Sequence, residues 1–446
     1  MFRESQKTSG ITRRELFNYG KDLGVILGTS YLASRFLPGL SLVGAGNFVE
    51  KLEVVANDQE FILPTKQIPL EVSISEGSKD SMLLVNTEGL SSFTHHALPY
   101  YRILTLDNNS NLKTTETVPL FENLSRYPYV QAMSSLTCNF NKTINKYGVV
   151  GVLRNDDNEF NLAYQTIGLN GKSDQAVTLF PENTTIGRSA PSCITLPGGV
   201  TIVAFYDYRN GYYDPPVANF LNISPDLKIS EEQSLSDRAG AVPAISYNET
   251  LKKGIISMTG FFNPGCHYDI FDENGQIFKR GVLDEGKHDS SQAVVSTPDG
   301  HFVFRTDLIS GVSNQLLVYK ISPDGDLVDL QLLPSLIGYK NFGNAILAPD
   351  KNTILFTSEM RIDDNNYDIF TFQWDPKSSK ILENRTFEYP LTNEVFPKIA
   401  TLKDKRITVF PSWGTVSPES KLVAIISDLK GIYRQRFPLI AKSPNF

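Results

Sequence analysis

Apolar residues along this chain fall in short runs, and from Pro69 onward no stretch holds a 3.6-residue apolar period for three turns. Gly, Pro, Asn and Asp punctuate the runs, which is the pattern of strands joined by tight turns. One unit recurs. Its later copies read Ala345-Ile346-Leu347-Ala348-Pro349-Asp350-Lys351, then Ile354-Leu355-Phe356, then Tyr367-Asp368-Ile369-Phe370-Thr371-Phe372. The copy before it runs from Ala293 to Phe304 around the turn Thr297-Pro298-Asp299-Gly300, with Leu316 to Ile321 as its next strand. Proline presets one turn dihedral and glycine or asparagine accepts the positive one, so each unit predicts strand, turn, strand, longer loop and strand.

Further copies lie at Leu70 to Asn86, Val130 to Asn155, Pro191 to Asp207, Ala241 to Phe262 and Pro397 to Pro411. The residues six before the centre of each first strand are Lys66, Arg126, Arg188, Arg238, His288, Lys340 and Glu394, spaced 60, 62, 50, 50, 52 and 54 apart. A fixed period of about 50 to 60 residues with four short strands per unit predicts a propeller blade. The expected fold is therefore all-β: one β-propeller of seven four-stranded blades over residues 47–446. Ring closure is expected to pair Lys51 to Ala56 with strands around Leu422 to Ile440, because closure removes sheet edges. The Pro-Asp-Gly turn with its later Asp-Ile-Phe resembles the repeats of TolB-type propellers over residues 289–380, a resemblance that implies the fold and little more.

The first 46 residues follow another pattern. Thr12-Arg13-Arg14-Glu15-Leu16-Phe17 precedes an apolar stretch from Leu23 to Ala33 and the small residues Val43-Gly44-Ala45-Gly46. That order of basic, apolar and small-residue regions predicts a signal peptide with a helical apolar segment. The paired arginines resemble the twin-arginine translocation signal, which implies the twin-arginine translocase as a transient partner and a periplasmic or secreted destination. Gly20, Lys21, Asp22 and Arg35 interrupt the apolar stretch, so no stable membrane span is expected.

Composition narrows the chemistry. A net charge of -7 argues against bulk nucleic-acid binding, which needs a cationic surface. Cys138, Cys193 and Cys266 form neither a CxxC pair nor a disulfide framework, and no metal site is predicted. His95-His96 lacks an identifiable third ligand, and Asp363-Asp364-Asn365-Asn366 lacks the glycine and terminal glutamate of an EF-hand loop. No cofactor can be named from the sequence.

Residues just before each innermost strand should ring one mouth of the channel. Six of the seven positions are basic (Lys66, Arg126, Arg188, Arg238, His288 and Lys340), although only 47 of 446 residues are Lys, Arg or His. Convergent guanidinium groups suit a carboxylate, sulfate or phosphate, because the planar fork makes two charge-assisted bonds to one oxyanion. The alternative is that they bond blade-joining carbonyls or carboxylates such as Asp237 and Asp289. Loops between second and third strands should crown the same face, carrying Asp156, Asp157, Tyr206 to Asp214, His267 and Trp413. Aromatics beside charges line saccharide and small-molecule pockets, so Asp207 and Trp413 join the candidate ligand-binding set.

Arg188-Ser189-Ala190-Pro191, then Pro197-Gly198-Gly199-Val200-Thr201-Ile202-Val203-Ala204 and Asp207-Tyr208-Arg209, resembles the Arg-Ile-Pro region of sialidases. That resemblance implies an arginine gripping a sugar carboxylate and places a general acid at Asp214, 26 residues beyond Arg188. An extra residue separates Arg from Pro, and no Ser-x-Asp-x-Gly-x-x-Trp box follows. Three functions remain in contention: a binder of an anionic small molecule or saccharide, a sialidase-like glycan hydrolase, and a TolB-type scaffold for an envelope protein.

Overall fold

The computed structural model describes residues 59–77, 80–89, 97–109, 111–130, 136–157, 159–181, 190–207, 217–239, 241–259, 266–284, 292–307, 315–333, 343–363, 366–387, 392–414 and 420–429. The signal-like segment lies outside them. Seven antiparallel sheets follow one another along the chain. Their innermost strands are Ile68–Glu76, Leu136–Asn141, Ser192–Thr195, Ala241–Asn248, Gln292–Thr297, Asn344–Leu347 and Lys398–Leu402. Each packs against the next, and the last packs against the first, so the sheets form the closed seven-bladed propeller that the repeat period predicts.

Both faces of a blade are covered by its neighbours, which explains why second strands read as continuous apolar runs. In blade 1, every residue of Ser81–Gly89 is buried. One face of that blade supplies Val72, Met82, Leu84 and Leu104 to a core shared with Val409 and Leu422 of blade 7. The other face supplies Leu83, Val85 and Tyr101 to a core shared with Tyr147, Val149 and Leu153 of blade 2. At about 25 cal/mol per Å² of apolar surface, such seams are the main stabilising term of the ring.

The predicted turns form as the sequence dictates. In blade 5, Gly300 follows Pro298-Asp299 with φ of 134°, and a Cβ there would lie 2.4 Å from the Ile321 carbonyl oxygen. Blade 6 has no glycine at its turn. Lys351 takes φ of 58°, and the Asp350 carboxylate accepts the N–H groups of Asn352 and Thr353 at 2.8 and 2.9 Å.

Ring closure differs in register from expectation. Gln59–Leu63, rather than Lys51 to Ala56, adds the outermost strand of blade 7, pairing with Lys421–Asp428 from Gln59↔Ile426 to Leu63↔Leu422. The run from Phe61 to Leu63 carries the apolar character that a strand there requires, and Pro64 ends it. Beyond Pro64 the chain crosses to the inner strand of blade 1 under a buried clamp. Glu88 Oε2 accepts the N–H groups of Lys66 and Gln67 at 2.7 and 2.9 Å, and Arg102 Nη1 donates to the Pro64 carbonyl at 2.7 Å. Arg102 and Glu88 are both fully buried, 3.8 Å apart.

A candidate site on the crossing face

One face of the ring carries the crossings from outer to inner strands and the connections between second and third strands; the opposite face carries short turns. Arg188, Asp214, His288 and Lys340 lie outside the described residues. Asp207 ends the second strand of blade 3, Thr201–Asp207, opposite Val217. Arg238 falls within the strand Gln233–Ala239, whose ladder jumps from Asn219↔Ser234 to Val217↔Ala239 as the chain leaves blade 3. Only the backbone of Asp207 and Arg238 is described.

Lys66, Arg126 and Trp413 are described in full. Lys66 Nζ sits 5.0 Å from the ring centroid of Tyr100, which belongs to the third strand of blade 1, Leu98–Leu106. Arg126 stands 5.6 Å from the centroid of Tyr127 and donates to Glu159 Oε2 at 3.0 Å, just ahead of the third strand of blade 2. Trp413 lies in the second strand of blade 7, Lys405–Gly414, instead of a loop; its Nε1 donates to the Pro69 carbonyl at 2.7 Å and its ring packs edge-on to Phe396. His267 is likewise a strand residue, buried in the third strand of blade 4, Cys266–Asp272. Both residues are paired in ladders, Trp413 with Asn393 and His267 with Met258, and so are not loop residues.

The rings that Lys66 and Arg126 stand beside do share one site. Tyr100 and Tyr127 both line a cavity of about 330 Å³ at the crossing-face edge of blades 1 and 2, with Pro99, Pro119, Phe121, Glu122, Ser125 and Leu153. The segment that walls it is fixed on both sides. Leu120 N–H donates to the Pro99 carbonyl at 3.0 Å on blade 1, and Phe121 N–H to Gln165 Oε1 at 2.9 Å on blade 2. Asn123 exchanges two bonds with the Ala176 backbone, at 2.9 and 3.0 Å. Phe121 holds φ of 60°, a conformation that non-glycine residues adopt when their surroundings enforce it. Its walls are buried aromatics, whereas Glu122, Ser125 and Arg126 are exposed. Such a cavity offers ring faces, a carboxylate and a hydroxyl, with a cation over each tyrosine.

The channel wall carries charges that the repeat pattern did not single out. Lys398 opens the inner strand of blade 7 among Glu71 of blade 1, Glu359 of blade 6 and Cys138 of blade 2, and burial lowers its pKa against the pull of those neighbours. Glu359 is 3% exposed and accepts the Phe396 N–H at 2.7 Å. Burial pushes its carboxyl up to about 7, opposed by that bond and by Lys398. In blade 4, burial likewise raises Asp269 to about 7, with Arg280 Nε at 3.7 Å opposing. The sequence signal for Glu71 and Glu359 was a carboxylate inside an apolar strand run. Cys138 and Cys193 sit in adjacent inner strands as buried thiols pushed up to about 12, and Cys266 is a third buried thiol. No cluster of potential metal ligands occurs among the described residues. No helix among them is long and apolar enough to cross a membrane.

No protein-family model matches the chain, and no curated protein matches it in sequence. Solved structures do resemble it in shape. The polysaccharide lyase Uly1 aligns with 85% of this chain and 100% of its own at 8% identity and a TM-score of 0.52. An α-L-arabinanase of Penicillium chrysogenum, solved with arabinobiose, covers 85% and 99% at 10% identity with a TM-score of 0.48. A neuraminidase-like protein from A/bat/Guatemala/164/2009 covers 69% and 90% at 12% identity with a TM-score of 0.43. Identities this low bear on the fold alone.

Proposed function

We propose that this protein is an exported propeller that binds a saccharide or small anionic molecule on its crossing face. The observation that carries the proposal is the cavity between blades 1 and 2, lined by Tyr100 and Tyr127, two rings that each have a cation, Lys66 or Arg126, beside them. Aromatic faces stack on sugar rings, and exposed cations supply partners for a carboxylate or sulfate. The cavity's size suits one or two sugar residues. Export rests on the paired Arg13-Arg14 and the apolar stretch behind them, and the translocase would meet the chain only through that segment.

Thermal unfolding of the full chain with glucuronic acid, sialic acid, sulfate or phosphate tests the proposal, since a ligand selective for the folded state raises the midpoint. Tyr127→Ala and Arg126→Ala should remove the rise if the ligand sits in this cavity, and Arg188→Ala if it sits at the channel mouth. Absence of any rise, or an equal rise in all three variants, would overturn ligand binding at this face.

A further inference from the structure

The seam between blades 6 and 7 changes character along its length. Toward the crossing face it is apolar: Ile369 and Phe387 of blade 6 meet Phe410, Val423 and Ile425 of blade 7. Side chains two residues apart along a strand share a face. Thr371 and Gln373 therefore continue the blade 6 surface below Ile369, and Thr408 and Arg406 continue the blade 7 surface below Phe410. The lower half of the seam is polar as a consequence.

At its centre one carboxylate oxygen serves two guanidinium groups. Glu383 Oε1 accepts from Arg385 Nε and from Arg406 Nη2, each at 2.6 Å. Arg406 is 1% exposed, and its Nε and Nη1 have no partner among the described residues. Neither do the hydroxyls of Thr371, Thr408 and Ser427. Ser427 stands directly opposite Arg406 in the ladder, and Thr408 is two residues along the same strand. The Nε–H and both Nη1–H bonds can only donate, and the hydroxyls can donate as well. A buried guanidinium whose Nε–H and Nη1–H bonds lack acceptors is costly in a low-dielectric interior, and the unpartnered hydroxyls around it can donate as well, so the missing ligand is an acceptor. Water supplies acceptors but no charge.

We propose that a small monovalent anion of the halide class binds in this seam, held by Nε and Nη1 of Arg406 and by the hydroxyls of Ser427 and Thr408. The space between two packed sheets favours a single-atom ion over a sugar acid, so this site is independent of the crossing-face cavity. Its role is to accept from the unmet donors of Arg406 where blade 6 meets the blade that closes the ring.

Two measurements on the full chain test the site. Crystals grown with bromide in place of chloride should show an anomalous peak within about 3.5 Å of Arg406 Nη1. At fixed pH and ionic strength, replacing gluconate with chloride should raise the unfolding midpoint by about 2 °C or more, and Ser427→Ala should shrink that rise. A bromide-free seam holding water alone, or equal midpoints in the two salts, overturns the proposal. Should Ser427→Ala unfold early, Thr408→Val gives the same comparison from the other hydroxyl.

Discussion

Replacing Glu359 with Gln should alter how stability depends on pH more than it alters the fold. The carboxyl is held at about 7 in the native protein, mainly by burial, whereas the unfolded chain ionises it near 4.5. Between those values the native state keeps a proton that the unfolded state has released. The wild type therefore loses stability as pH rises from about 4.5 to about 7 and levels off above it. At about 1.4 kcal/mol per pH unit, the loss is about 3 kcal/mol. Glutamine keeps an oxygen to accept the Phe396 N–H, which the wild type bonds at 2.7 Å, and it carries no charge at any pH. Lys398 retains Glu71 as a counter-charge in the variant. Asp269, which is also raised to about 7, is common to both proteins and cancels in the comparison. Urea unfolding followed by tryptophan fluorescence, at several pH values from about 4 to 8, should give stabilities that agree at the acid end. They should separate by about 3 kcal/mol in favour of the Glu359→Gln variant near pH 8. A difference that stays flat across that range would refute the burial of an ionisable carboxyl at this seam.

Other substitutions follow from the same structure. Arg102→Leu removes the donor to Pro64 and strands Glu88 in the core, so it should cost about 3 to 5 kcal/mol in denaturant unfolding and loosen proteolytic protection of residues 59–67. Gly300→Ala forces a methyl to within 2.4 Å of a carbonyl oxygen at a φ that L-residues avoid; a loss of at least about 2 kcal/mol is expected by calorimetry. Trp413→Phe keeps the ring on Phe396 but abandons the bond to Pro69, and should cost about 1 to 2 kcal/mol without changing ligand response.

The blade repeat was legible because turn chemistry and strand burial are local. Pro298-Asp299-Gly300 announces its turn, and Met82 to Val85 announces a strand covered on both faces. Side-chain direction was less legible. A position just ahead of an inner strand can aim at the axis or back over its own blade, and Lys66 takes the second course because Tyr100 offers it a ring face. The sequence around Trp413 and His267 suits a loop as well as a strand, because polar and aromatic types cluster near both strand ends and loops, and only the ladder register separates the two. Glu71, Glu359 and Arg406 come from blades far apart in sequence or from opposite strands of a seam, so no spacing rule could assemble them.

The strand that completes the last blade is drawn from the beginning of the chain. A ribosome must therefore release nearly the whole polypeptide before Gln59–Leu63 finds Lys421–Asp428, and until then the growing arc has two open ends. A cut just after Leu63 would unlatch the first and last members of the circle together.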